Sequence, residues 1–161
     1  MSFTVFISSN GHFSALRKCL ESLEVQTCYP DRICIGISES LYVQMDQFLQ
    51  RSFRDSKIFA ILKCVSLPTV PNGRNWALRH VESPFLLFLD EGVVLPKPNH
   101  LELRERYHRA LPNIQLLGGP YINLDFQSGF ERAHNDVANL WMQRYQKSYP
   151  RCSPQDFLVT G

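Results

Sequence analysis

Residues Phe85 to Asp90 read FLLFLD, five consecutive apolar side chains closed by an acid. The run is far short of the roughly 20 residues that cross a bilayer. A strand with one wet face would alternate, whereas an unbroken apolar run suits a parallel sheet covered on both faces. Parallel neighbours need crossover connections, usually helices, so this segment predicts a layered α/β domain. The residues before it supply the other layers. Phe3 to Ser8 (FTVFIS) is a β-rich run ending in the polar turn SSNGH. Phe13, Leu16, Leu20 and Leu23 then recur at spacings of three and four, as on an amphipathic helix. Tyr29-Pro30-Asp31 breaks that helix, and Arg32 to Ile37 (RICIGI) is a second strand. Ser40 to Phe53 carries Val43, Phe48, Leu49 and Phe53 at helical spacing, and Lys57 to Leu67 holds a third strand closed by Pro68 and Pro71. A short helix over Asn72 to Val81, opened by Asn72-Gly73, leads through Ser83-Pro84 into FLLFLD. Strands and helices in strict alternation predict a mostly parallel α/β sheet with right-handed crossovers and helices on both faces.

The second half predicts a charged amphipathic helix over Asn99 to Leu111, a strand over Asn113 to Gly118 and a tight bend at Gly118-Gly119-Pro120. A long helix follows over Phe130 to Tyr145, with Phe130, Ala133, Val137, Leu140 and Trp141 on one face. The closing FLVTG reads as a strand entering a sheet, so the sequence is expected to stop inside its fold. That edge, Phe157 to Val159, would invite pairing.

With 161 residues, 44% hydrophobic and 20% charged, the chain suits one globular domain. A net charge of +2 gives no electrostatic argument for nucleic acid. The first residues lack the basic and apolar regions of a signal peptide, and no stretch is long enough to cross a membrane, so a cytoplasmic protein is expected. Cys19, Cys28, Cys34, Cys64 and Cys152 are odd in number and contain no CxxC pair. They read as reduced, mostly core residues.

Ligands of open α/β sheets sit at the carboxyl ends of the strands, where four features converge. The turn Ser8-Ser9-Asn10-Gly11-His12 runs into a helix; its backbone N–H groups suit an anion, although any strand-to-helix turn uses such residues. After strand two, Glu39 is an acid within reach of a ribose or base. In Gly73-Arg74-Asn75, Arg74 offers a forked donor to a phosphate or carboxylate, or else lies solvated on a helix surface. Asp90 and Glu91 follow the apolar strand directly. Acids there need a polar cleft, metal or ligand, or else mark a strand end that simply reaches solvent; Mg²⁺ or Mn²⁺ held by Asp90 and Glu91 would bridge to a diphosphate.

In this order the pieces resemble family 2 glycosyltransferases of the GT-A fold. FTVFISSNGHFSALRKCLESLEVQT is similar to that family's first strand, its turn asparagine (Asn10) and its Leu-x-Ser-Leu helix ending in Gln. GRNWAL resembles its Ala-Arg-Asn-x-Gly element with Arg74 and Asn75 in register, and FLLFLDEGVVLPKP its Asp-x-Asp strand with the following proline at Pro96. LLGGP at Leu116 to Pro120 is similar to the strand preceding its acceptor region. The resemblance implies one GT-A-like domain built on a Rossmann-like sheet, with a nucleotide-sugar-binding part over 1–98 and the start of an acceptor part over 99–161. It stops before the catalytic-base region. It implies a nucleotide-diphosphate sugar donor, a glycan or lipid-linked acceptor, a divalent metal and peripheral association with a membrane in polysaccharide biosynthesis. Asn10, Glu39, Arg74, Asp90 and Glu91 are the candidate ligand residues, with Asp90 and Glu91 for the metal.

Three positions depart from the family pattern. Gly92 stands where the second Asp would be, Ile37 or Ser38 where an Asp would grip the nucleobase, and no residue matches the catalytic base. Asp125, Glu131, Asp136 and Asp156 read as solvated surface acids. The departures keep a second expectation open: a degenerate GT-A-like binding or scaffold module in a polysaccharide-assembly system. A nucleotidyltransferase would want a glycine-rich loop after strand one, which SSNGHFSALRK lacks.

Overall fold

The computed structural model describes residues 3–69, 71–112 and 128–148. Four strands, β1 (Phe3–Ser8), β2 (Arg32–Ser38), β3 (Leu62–Leu67) and β4 (Phe85–Asp90), form one sheet in the order β3-β2-β1-β4. Every pairing in it is parallel. Helices α1 (Phe13–Glu24), α2 (Tyr42–Phe53), α3 (Pro71–His80), α4 (His100–Ala110) and α5 (Gly129–Ser148) make up the rest. The expected Rossmann-like, GT-A type sheet with helices on both faces is the fold of the chain.

The strand order follows from chain handedness. From β1 the chain steps to β2 and then β3 in one direction, so right-handed crossovers place α1 and α2 on one face. It then returns past β1 to β4, and the same hand requires α3 on the opposite face. The core divides accordingly. Val5, Ile7, Ile33, Ile35 and Ile37 pack with Leu16, Cys19, Leu20 and Leu23 of α1 and with Met45, Leu49 and Phe53 of α2. On the other face Phe6, Cys34 and Leu67 pack with Ala77 of α3. In β4, Leu87 and Leu89 belong to the first face and Leu86 and Phe88 to the second, which is why the run is apolar throughout. Phe85 to Phe88 are nevertheless only half-buried. Among the described residues β1 is the sole partner of β4, so its outer edge is less covered than the unbroken pattern suggested.

Local chemistry moved several boundaries. Residues Glu39–Leu41 and Lys57–Ile61 form short 3-10 turns ahead of α2 and β3. Pro71, expected to close the third strand, instead opens α3, where a missing N–H costs no helical hydrogen bond. The predicted strand at Asn113–Gly118, the bend after it, the FLVTG strand and Cys152 lie outside the described residues. Cys19, Cys28, Cys34 and Cys64 are free thiols.

The chain divides into two compact units, Met1–Arg106 and Tyr107–Gly161. In the second unit α5 carries Phe130, Val137, Leu140 and Trp141 with exposed side chains.

One close approach sets the height of α3 above the sheet. A Cβ added at Gly73 would lie 2.6 Å from Cζ of Phe6, and one at Gly36 on β2 also 2.6 Å from it. The fully buried Phe6 ring therefore occupies the space of two absent side chains. Helix propensity alone favours alanine over glycine by about 1 kcal/mol. Gly73→Ala is nonetheless expected to lower stability by about 1–3 kcal/mol, because the ring cannot retreat from a packed core. Urea denaturation of Gly73→Ala, Phe6→Leu and the double variant measures this; a favourable coupling in the double variant identifies the ring as the obstacle.

Candidate functional site

The order in which the strands are laid down reverses between β1 and β4, and the carboxyl ends beside such a switch point are where ligands of open α/β sheets bind. Ser8 is in register with Gly36 on one side and Asp90 on the other, so β1 and β4 end level while β2 runs two residues further, to Ser38. Beyond that line the backbone stays tied: Ser9 N–H donates to the Gly36 carbonyl (3.0 Å) and Glu91 N–H to the Ser8 carbonyl (3.1 Å).

Successive residues of a strand point to opposite faces, and this separates the two acids. Asp90 follows Leu86 and Phe88 toward α3. There Arg74 Nη2 donates to its Oδ1 at 3.1 Å, with the two side chains 36% and 42% exposed. An ion pair this open contributes little to stability, but it holds a cation and an anion within reach of a ligand. Gly73 brings the first turn of α3 close enough for Arg74 to make it.

Glu91 follows Leu87 and Leu89 toward α1 and is only 8% exposed. Its Oε2 accepts from Ser9 Oγ (2.6 Å), Asn10 N–H (3.1 Å) and His12 N–H (3.2 Å). Ser9 Oγ in turn accepts from Gly11 N–H at 3.1 Å. Gly11 has a φ of 91°, in the left-handed region, and a Cβ there would lie 2.9 Å from Leu41 Cδ1. The loop after β1 thus cradles an anion, as its composition suggested, and the anion is the chain's own Glu91. The carboxylate also sits beside the amino end of α1, where negative charge is favoured. His12, at the cap position of that helix, makes no side-chain cap of its own.

Of the five sequence candidates, the fold brings Arg74 and Asp90 together. Asn10 is exposed on the neighbouring loop, its backbone committed to Glu91. Glu39 is exposed on the turn after β2, and β1 lies between β2 and β4. That separates Glu39 from Asp90 by two strand spacings, about 10 Å. Gly92 lies in the turn after β4 with no heavy atom within 4 Å of where its Cβ would be. Asp136 is exposed on α5, while Asp125 and Asp156 lie outside the described residues.

Sequence reasoning missed the residues that fasten the chain leaving the site. Ser22 Oγ accepts from Leu95 N–H at 3.1 Å. Gln26, 2% exposed, donates through Nε2 to the Lys97 carbonyl (3.0 Å) and accepts at Oε1 from Leu101 N–H (3.2 Å). Thr27 N–H reaches the Pro98 carbonyl at 2.7 Å. The available signal was Gln26 itself, a polar residue continuing the apolar stripe of Leu16, Leu20 and Leu23.

A divalent cation would draw on Asp90, Glu91 and position 92. Glu91 is spent on the loop, Gly92 has no donor, and Asp90 is already paired with a guanidinium. Among the described residues no three His, Cys, Asp or Glu side chains gather as a metal site. The donor set present does not fit a hard dication, which wants several oxygen ligands.

No protein-family model matches the sequence, and no curated protein does. Solved structures match the fold. Over 78% of its length the chain resembles Staphylococcus aureus TarS 1-349 in complex with UDP, with a TM-score of 0.54 and 18% identity, covering 38% of that chain. A second TarS structure gives a TM-score of 0.53 and 18% identity over 80% of this chain and 24% of that one. The chain therefore spans well under half the length of the proteins whose fold it shares. No described helix is long and apolar enough to cross a membrane.

Two expectations follow from the site. Removing the buried carboxylate in Glu91→Ala leaves a hydroxyl and two amides without their acceptor and costs about 2–3 kcal/mol. Asp90→Asn, at an open pair, should cost no more than about 1 kcal/mol. Urea titrations that rank the two variants the other way would refute this division of labour. Beneath the site, burial first and the charges of Asp90 and Glu91 second push the Cys19 thiol up to about 12. At pH 8 iodoacetamide should therefore leave Cys19 unmodified in the folded protein and alkylate it once urea unfolds the chain, as peptide mass mapping would show.

Proposed function

We propose that this chain is the donor-binding portion of a glycosyltransferase, holding a nucleoside-diphosphate sugar at the carboxyl ends of β1 and β4. The observation that carries this reading is the Arg74–Asp90 pair, a guanidinium and a carboxylate half open to solvent at the sheet's switch point. Arg74 has the geometry to take diphosphate oxygens, and Asp90 to accept from a ribose hydroxyl. The fold likeness to TarS, solved in complex with UDP, supports the same ligand class.

On this reading the whole protein transfers the sugar to a glycan or lipid-linked acceptor, in the cytoplasm and beside a membrane, during polysaccharide assembly. The departing nucleoside diphosphate gains negative charge as the glycosidic bond to it breaks, and Arg74 stands where that charge develops. No described acid occupies the position of a base for the acceptor hydroxyl, so the chemistry attributed to these residues ends at donor binding.

Thermal unfolding in the presence of UDP-sugars and GDP-sugars tests the proposal. The cognate donor at a hundredfold excess over its Kd should stabilise the chain by about 2.7 kcal/mol. Asp90→Ala and Arg74→Ala should each abolish most of that gain while leaving the unliganded melting temperature near its original value. Stabilisation by none of these donors would favour a GT-A-like scaffold that has lost its ligand.

A further inference from the structure

We infer that the diphosphate is held at this site by the fixed charge of Arg74, without a divalent cation. The inference rests on the donor-binding reading and specifies how that site neutralises its ligand.

Three positions could anchor a dication here, and each fails for a different physical reason. Strand alternation turns Glu91 away from Asp90, and its Oε2 already accepts three hydrogen bonds. Gly92 has no side chain, and a Cβ there would meet nothing within 4 Å. Asp90 remains, but its Oδ1 accepts from Arg74 Nη2 at 3.1 Å. A dication on that carboxylate would sit beside a guanidinium of the same sign, against Coulomb repulsion.

The same geometry equips Arg74 for the task a metal would perform. Its five N–H donors form a rigid fork that matches phosphate oxygens in pairs. Asp90 takes one nitrogen, Nη2, and among the described residues no other acceptor holds the guanidinium. Asp90 orients the cation, whose side chain remains 36% exposed. The close packing of Gly73 on Phe6 keeps the first turn of α3, and hence Arg74, at that height.

The vacancy beside Gly92 supplies a gain-of-function test. Gly11 is the only positive-φ residue among the described residues, so an aspartate at 92 meets neither backbone strain nor a neighbour. It would restore a second carboxylate near Asp90.

Isothermal titration of the full chain with UDP, GDP and CDP, in EDTA and then in Mg²⁺ or Mn²⁺, separates the outcomes. The expected result is one nucleotide binding in EDTA within about threefold of its affinity in metal, a difference under 1 kcal/mol. Arg74→Ala should weaken it about tenfold or more, and Arg74→Lys should recover only part because an ammonium lacks the fork. Gly92→Asp should bind more tightly in metal than in EDTA. Binding by the unaltered chain in metal but not in EDTA overturns this inference and leaves the donor-binding reading standing. An Arg74→Ala variant that binds as well as its parent overturns it too. No binding of any nucleotide under either condition overturns both.

Discussion

The carboxylate of Glu91 joins three parts of the chain that would otherwise move independently. It stands at the end of β4, it receives donors from the loop that leaves β1, and it lies at the amino end of α1. Burying a charged carboxylate is costly unless it is fully hydrogen-bonded, and here a hydroxyl and two backbone amides meet one of its oxygens. Those amides are donors that a strand-to-helix loop must place somewhere. The loop at the centre of the crevice is thereby pre-formed, its donors turned into the fold and not toward a ligand.

That arrangement leaves the solvent-open charges to the other face of β4. Asp90 and Arg74 meet there because α3 crosses close over Phe6, and α3 crosses there because the chain must return past β1 with right-handed connections. The fastening of residues 95–101 to Ser22 and Gln26 does for the outgoing chain what Glu91 does for the incoming loop. The open ion pair between α3 and the end of β4 therefore lies on the same sheet end as two segments that side chains fasten to the fold.

Much of this was legible from residue patterns. The apolar run FLLFLD, the three- and four-residue spacing in α1 and the proline breaks located all four strands and the helices between them, because both periodicities are local consequences of backbone geometry. Arg74 and Asp90 stood out by their place after a turn and at a strand end, and the fold brings them together as an ion pair. The grouping of Glu91 with Asp90 was less secure, and the strand's own alternation held the reason: adjacent residues point to opposite faces. Boundaries at Pro71 and at the 3-10 turns were misplaced, since a proline can close a strand or open a helix and only its neighbours decide which.

By itself the sequence determined the layered α/β class, the parallel sheet and the end of that sheet at which polar groups collect. Each depends on periodicity and on chain handedness, which act over a few residues at a time. Tertiary structure alone decided which acid stays open to solvent and which is consumed by the fold. It also decided that a phenylalanine fills the space of two glycines, and that Gln26 pins a segment some seventy residues away. Those outcomes turn on donors, acceptors and volumes contributed by distant parts of the chain, and no local pattern encodes such a meeting.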